Sequence, residues 1–160
     1  MMLQNGNKKF RNIIAGEKGF TLAELVVSAG ILGVVITGIM VSYIRCMELN
    51  EVSQNKSLAV KAARSRMELI RMTPYATLVA TYNNVAFNVT GFNGRGVSYV
   101  TVVDAKNLRL RVSVSWQQKN NRVFGEDANL NGVLNGGEDK NGDGFLSSPV
   151  DITEVMFDRT

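Results

Sequence analysis

Between Glu126 and Gly144 the chain reads EDANLNGVLNGGEDKNGDG, a run in which side-chain oxygens recur at alternate positions. Asp127, Asn129, Asn131, Gly132 and Glu138 fill positions 1, 3, 5, 6 and 12 of the twelve-residue calcium-loop pattern, with the Val133 carbonyl at position 7 and Asn135 at position 9. Calcium takes about six to eight oxygens at flexible distances; alternate residues point oxygens inward, and a glycine at the sixth position makes the sharp turn. Twelve residues on, Asp139, Asn141, Asp143 and Gly144 repeat the opening of the pattern, with Phe145 at the carbonyl position. This second loop is incomplete, because Val150 stands at its twelfth position and closure falls to Asp151 or Ser147. Ca²⁺ is therefore the expected cofactor. Asn in place of Asp at two positions of the first loop leaves few formal charges and predicts weak binding, suited to calcium-rich surroundings outside a cell. The competing reading is a polar loop whose Asn-Gly and Asp-Gly pairs only make turns. No helix separates the two loops, so they do not form a paired EF-hand domain and look more like the tandem loops of extracellular modules.

Little other chemistry is available. The sequence has 160 residues and no His, which removes the commonest general base, the Ser-His and Cys-His nucleophile pairs and the imidazole ligands of zinc. The acidic residues gather in a loop built for a hard cation and not as a poised acid-base pair, so the chain reads as a non-enzyme. Its one Cys, Cys46, cannot form an intramolecular disulfide. The formal charge of +4 does not point to nucleic acid: Lys8, Lys9, Arg11 and Lys18 against Glu17 place most of it in residues 1–19.

That basic leader precedes a segment of a different kind. From Leu25 to Ile44 the sequence LVVSAGILGVVITGIMVSYI carries no charge and has the length an apolar helix needs to cross roughly 30 Å of hydrocarbon. A cleaved secretory core is usually shorter, and a buried core helix is seldom uncharged for so long. The positive-inside bias keeps residues 1–19 in the cytoplasm and sends the remainder outward. Glu24 stands one residue before the apolar run, where a carboxylate is unfavourable by up to roughly 3 kcal/mol at the bilayer centre and less near an interface. It therefore needs a partner, unless it sits at headgroup depth where the helix dipole favours it.

The residues GFTLAE, Gly19 to Glu24, preceded by Lys18 and followed by the apolar run, resemble the processing site of class III signal sequences, those of type IV prepilins and type II secretion pseudopilins. The resemblance covers residues 8 to about 45. It implies that a prepilin peptidase cuts on the cytoplasmic face between Gly19 and Phe20 and methylates the new amine of Phe20. It further implies partners in the form of other pilin or pseudopilin subunits in a helical fibre, with Glu24 acting in assembly. Cleavage would create a cationic amine on Phe20, with an ordinary pKa of about 8, able to pair with Glu24 of a neighbour. Many pilins have a Pro midway along this helix; here Gly30, Gly33 and Gly38 occupy the segment instead. Calcium near the C-terminus also resembles some pseudopilins.

Past Ile44 the helical pattern turns amphipathic. Val52, Ala59, Ala63, Met67 and Ile70 form an apolar stripe while Lys56, Lys61, Arg64, Arg66, Glu68 and Arg71 occupy other faces, and Pro74 predicts an end near Met72. After the connector PYATLVATYNN the period becomes two. Strands are expected at 85–90, at 97–103 and, with Leu108, Leu110, Val112, Val114 and Trp116 on one face, at 108–117. Asn93-Gly94 is the strongest hairpin signal, and Asp151–Phe157 could add an edge strand. The predicted fold is α+β: one long N-terminal helix packed against a small antiparallel sheet, with a C-terminal calcium-type loop. The expected organisation is a leader (1–19), a transmembrane half-helix (20–45), an amphipathic half-helix (46–73) and a pilin-like head (74–160) containing the loops at 126–151.

The expected protein is thus a structural subunit of a pilus or pseudopilus, its basic stalk resembling minor subunits. It would be held first as a single-pass inner-membrane protein with an extracytoplasmic head. The alternative is a membrane-tethered calcium-dependent binding module that does not assemble.

Overall fold

The structure is a computed structural model that describes residues 19–158. Helix α1 spans Leu22–Arg71. It begins where Thr21 caps it, its Oγ1 accepting the Glu24 backbone N–H at 3.2 Å. By contact pattern the chain divides between Ile44 and Arg45.

In the first unit, every residue of α1 up to Ile44 is exposed, and its most apolar window has a mean hydropathy of 2.3. The helix is long and apolar enough to cross a membrane. The serine and threonine hydroxyls in this stretch are satisfied within it: Ser28, Thr37 and Ser42 donate to the carbonyls of Glu24, Gly33 and Gly38 at 2.7–2.9 Å. Gly30, Gly33 and Gly38 do not interrupt the helix.

In the second unit, α1 buries Ala59, Ala63, Met67 and Ile70, four of the five residues of the expected stripe, while Val52 is only half-buried. Small residues at 59 and 63 let the helix backbone approach the sheet closely. Thr73 closes the helix end, donating from Oγ1 to the Leu69 carbonyl at 3.0 Å. The connector is more ordered than its sequence suggested, folding as a 3₁₀ turn at Tyr75–Thr77 and a short helix α2 at Leu78–Tyr82 that buries Leu78.

The sheet comprises β1 (Val85–Asn88), β2 (Gly94–Asp104), β3 (Asn107–Gln117), β4 (Val123–Phe124) and β5 (Asp151–Phe157), all paired antiparallel. Strand β3 is central, with β2 along one side and β4 and β5 sharing the other. Its alternation sends Leu108, Leu110, Val112, Val114 and Trp116 to the helix face, where all are buried with Val100 and the α1 stripe. Trp116 is core, 1% exposed and stacked on Phe124 at 5.4 Å. The opposite face carries Val97 and Tyr99, which pack with Leu146 from the C-terminal loops. The sheet therefore lies between a helix and a layer of loops.

The hairpin expected at Asn93-Gly94 forms, β1 and β2 pairing antiparallel across residues 89–93, but its connection is not a two-residue turn. Gly94 is already in β2 opposite Trp116, and the Asn93 carbonyl accepts the Gln117 N–H at 2.9 Å, so Asn93 is tied to β3. The tight turn is at Asp104–Asn107, where the Asp104 carboxylate accepts the Lys106 N–H at 2.9 Å and the Asn107 side-chain amide at 2.6 Å.

Candidate functional site

Two places carry the residues that sequence reasoning singled out. At the N-terminal one, Gly19 and Phe20 precede the helix in irregular, exposed backbone, with Phe20 80% exposed. Glu24 lies in the first turn of α1, exposed, where the helix dipole favours a carboxylate. The basic leader, including Lys18, lies outside the described residues.

The other place is the loop layer. In the first loop the Asp127 carboxylate accepts the N–H groups of Asn131 at 3.0 Å and Gly132 at 2.8 Å; Asn129 Oδ1 accepts from Asn131 N–H, and Asn131 Oδ1 from Val133 N–H. Twelve residues later the same bonds recur. Asp139 accepts from Asp143 at 3.1 Å and Gly144 at 2.9 Å, Asn141 Oδ1 from Asp143 N–H, and Asp143 Oδ1 from Phe145 N–H. Left-handed backbone also recurs in step, at Leu130 and Gly132 and again at Gly142 and Gly144. Gly132 is needed twice over: its φ is +74°, and a Cβ there would collide with Ala86 of β1.

The closing carboxylates show what the sequence reading missed. Glu138 accepts the N–H of Ala128 at 3.0 Å and of Asn135 at 3.0 Å, the second and ninth positions of the first loop. Glu126 accepts the N–H of Lys140 at 3.1 Å and of Ser147 at 2.8 Å, the same two positions of the second loop. Even the backbone bonds match, Glu138 N–H to the Asn135 carbonyl and Glu126 N–H to the Ser147 carbonyl. Each loop is thus closed by the glutamate that immediately precedes the other. The second loop draws its closing residue from upstream, and a carboxylate oxygen of Glu126 lies within 4.8 Å of those of Asp139 and Asp143. Asp151, expected to help close this loop, instead pairs with Arg111 of β3 at 2.7 Å. The signal was present: the dipeptide Glu-Asp occurs at 126–127 and again at 138–139, so the twelve-residue repeat starts one residue earlier than its first aspartate.

The two loops differ in charge compensation. Asp127 and Glu138 are buried, 1% and 7% exposed, and among the described residues no lysine or arginine pairs with either. Burial raises the Asp127 pKa from its ordinary value and Glu138 adds to the rise, against the opposing bonds from Gly132 and Asn131. In the second loop burial works to raise Asp143, but the Arg111 guanidinium, 2.9 Å away, and the Phe145 N–H outweigh it and hold the carboxyl below its usual range. Arg111 also donates to the Ser147 hydroxyl, binding the second loop to the sheet. The buried carboxylates of Asp127 and Glu138, their negative charge unmatched by a side-chain cation, fit a hard divalent metal. The acidic cluster Glu126, Asp139 and Asp143 could bind one.

Residues 14–40 match the prokaryotic N-terminal methylation motif, the class III signal of type IV pilins and pseudopilins. The matched segment runs across the Gly19–Phe20 junction, Glu24 and the apolar part of α1. Comparison with curated proteins gives no match. Comparison with solved structures likewise gives none. The chain therefore carries the signal of a prepilin-peptidase substrate on an α+β fold of long helix and antiparallel sheet.

Proposed function

We propose that the protein is a structural subunit of a type IV pilus or type II secretion pseudopilus. The single observation that carries this is the methylation motif at residues 14–40, set at the head of an exposed apolar helix that nothing in the first unit covers. In this reading the peptidase cuts between Gly19 and Phe20 and methylates the Phe20 amine. The helix then passes from the inner membrane into a fibre, with Glu24 accepting the Phe20 amine of a neighbour. Thr21, which caps the helix, and Glu24, in its first turn, both belong to the mature chain, so cleavage at Gly19 leaves the helix start intact.

The loop layer in this reading holds Ca²⁺. Asp127, Asn129, Asn131, the Val133 carbonyl, Asn135 and Glu138 would hold one ion; Asp139, Asn141, Asp143, the Phe145 carbonyl and Glu126 would hold the second. The ion supplies the positive charge that the buried Asp127 and Glu138 lack. The test of the function is N-terminal mass spectrometry on protein recovered from its native membrane, from cells with an active prepilin peptidase. A chain starting at methylated Phe20 is expected, and an uncut leader overturns the assignment.

A further inference from the structure

The second unit holds a groove of about 510 Å³ between α1 and β1, walled by Leu58, Leu69, Phe87 and Val89 and carrying the cations of Lys61 and Arg66. Arg66 is held unusually for a surface arginine. Its guanidinium lies over the rings of Tyr82 at 4.7 Å and Phe87 at 4.9 Å, and its Nε is enclosed without a hydrogen-bond partner. Burial lowers its pKa from the ordinary value, the sign of a charge left poorly compensated. Among the described residues no carboxylate pairs with Arg66 or Lys61. A fixed, stacked guanidinium has already lost much of its side-chain freedom and is ready for a carboxylate.

Charge is segregated along α1. Lys56, Lys61, Arg64, Arg66 and Arg71 face a single acidic residue, Glu68, over 56–71, and among the described residues only Arg71 is matched from outside the helix, by Glu154. Upstream stands Glu48, flanked by Met47 and Leu49, which are 58% and 69% exposed. Among the described residues its one ion-pair partner is Arg45, in a pair whose side chains are 73% and 47% exposed. Such an exposed pair contributes little, so exchanging it costs little.

We infer that the groove receives Glu48 of a second copy of this chain, with Met47 and Leu49 seated on its apolar walls. The inference rests on the assembling-subunit reading above. Copies drawn from one membrane into a fibre keep the same polarity, which forbids the reciprocal antiparallel pairing that the same charges would allow. Glu48 precedes the Lys61–Arg66 segment by about 15 residues, so the contact fixes a stagger on the order of 20 Å along the helix. A head-to-tail contact of this kind leaves one groove and one Glu48 unfilled at its ends and therefore propagates.

Cys46, two residues before Glu48 and so on the opposite face of the helix, is removed by Cys46→Ser. In that background, in cells that assemble the protein, Leu49→Cys with Ser65→Cys places one thiol beside Glu48 and one in the groove lining. A short bismaleimide should then give dimers and higher ladders. The Cys46→Ser background should give none, and neither Leu49→Cys nor Ser65→Cys alone should give ladders. Glu48→Lys should lower the yield about tenfold or more, and Lys61→Glu in the same chain should restore it. Val34→Cys in a Cys46→Ser background reports helix association independently. If Val34→Cys cross-links while Leu49→Cys with Ser65→Cys does not, the groove assignment is overturned and assembly stands. Absence of both overturns assembly as well. A cross-link between the thiols introduced by Leu49→Cys and Ser65→Cys that is indifferent to Glu48→Lys also overturns the assignment.

Discussion

Glu126→Gln separates reciprocal closure of the loops from closure of the second loop by its own downstream residues. The substitution keeps size and one carbonyl oxygen but removes the carboxylate that accepts from Lys140 and Ser147. Loops of extracellular type bind calcium at about 10⁻⁴ to 10⁻³ M. At about 10 mM Ca²⁺ each site is then 10- to 100-fold above its dissociation constant and stabilises the fold by about 1.4–2.7 kcal/mol. For a unit the size of Arg45–Thr160 about 1 kcal/mol moves Tm by about 4 °C, so each filled site is worth about 6–11 °C and both about 12–22 °C. The assay is thermal unfolding of the full chain in detergent, with chelator and with calcium. Glu126→Gln should halve the calcium-dependent shift or reduce it further, because the segment that closes one loop opens the other. Asp151→Asn should lower Tm modestly under both conditions by removing the Arg111 pair, and leave the shift itself unchanged. A full parental shift in Glu126→Gln, with a reduced one in Asp151→Asn, would return closure to Asp151 and refute the reciprocal arrangement. No shift in the parent would remove calcium altogether.

Two further outcomes follow from the helix–sheet layer and the β2–β3 turn. Ile70→Ala empties a fully buried position between α1 and the sheet and should cost about 2–5 kcal/mol, read as a lower Tm of the full chain, with the mobility of the protein on prepilin processing unchanged. Asp104 should titrate below its ordinary value because the Asn107 side chain and then the Lys106 N–H bind its charged form. The turn's contribution to stability is accordingly complete above the unfolded pKa and fades as pH falls through the folded one. Carboxyl NMR titration checks it, and Asn107→Ala should move Asp104 back up toward the ordinary value.

The elements that sequence alone revealed are those with a period. The apolar run to Ile44, the stripe at 59, 63, 67 and 70 and the alternation of β3 each repeat a rule often enough to outweigh local exceptions. What escaped was set by single contacts. Asn93-Gly94 has the composition of a tight turn, yet Asn93 is held by Gln117 across the sheet, and the turn forms where Asp104 can bind its own backbone two residues on. Leu78–Tyr82 is too short to show a period and becomes helical because Leu78 reaches the core. Closure of the second loop depends on a residue that precedes the first, so a pattern read forward from Asp139 finds Val150 and stops.

The chemistry of the loop layer has its own logic. A small domain with a limited core commonly relies on disulfides or bound metal, and this chain has one cysteine, on the exposed surface of α1. Residues 125–150, between β4 and β5, form no helix or strand and are fastened to the sheet by Leu146, Tyr99 and Arg111. Asp127 and Glu138 lie buried among them without a cation, an arrangement that disfavours the folded loop until a positive charge arrives. A bound ion would therefore do for this segment what a disulfide does elsewhere, but conditionally: the staple closes only where calcium is plentiful. Because each loop is shut by the glutamate that opens the other, loosening one should release both, so the layer should order as a single step and not as two.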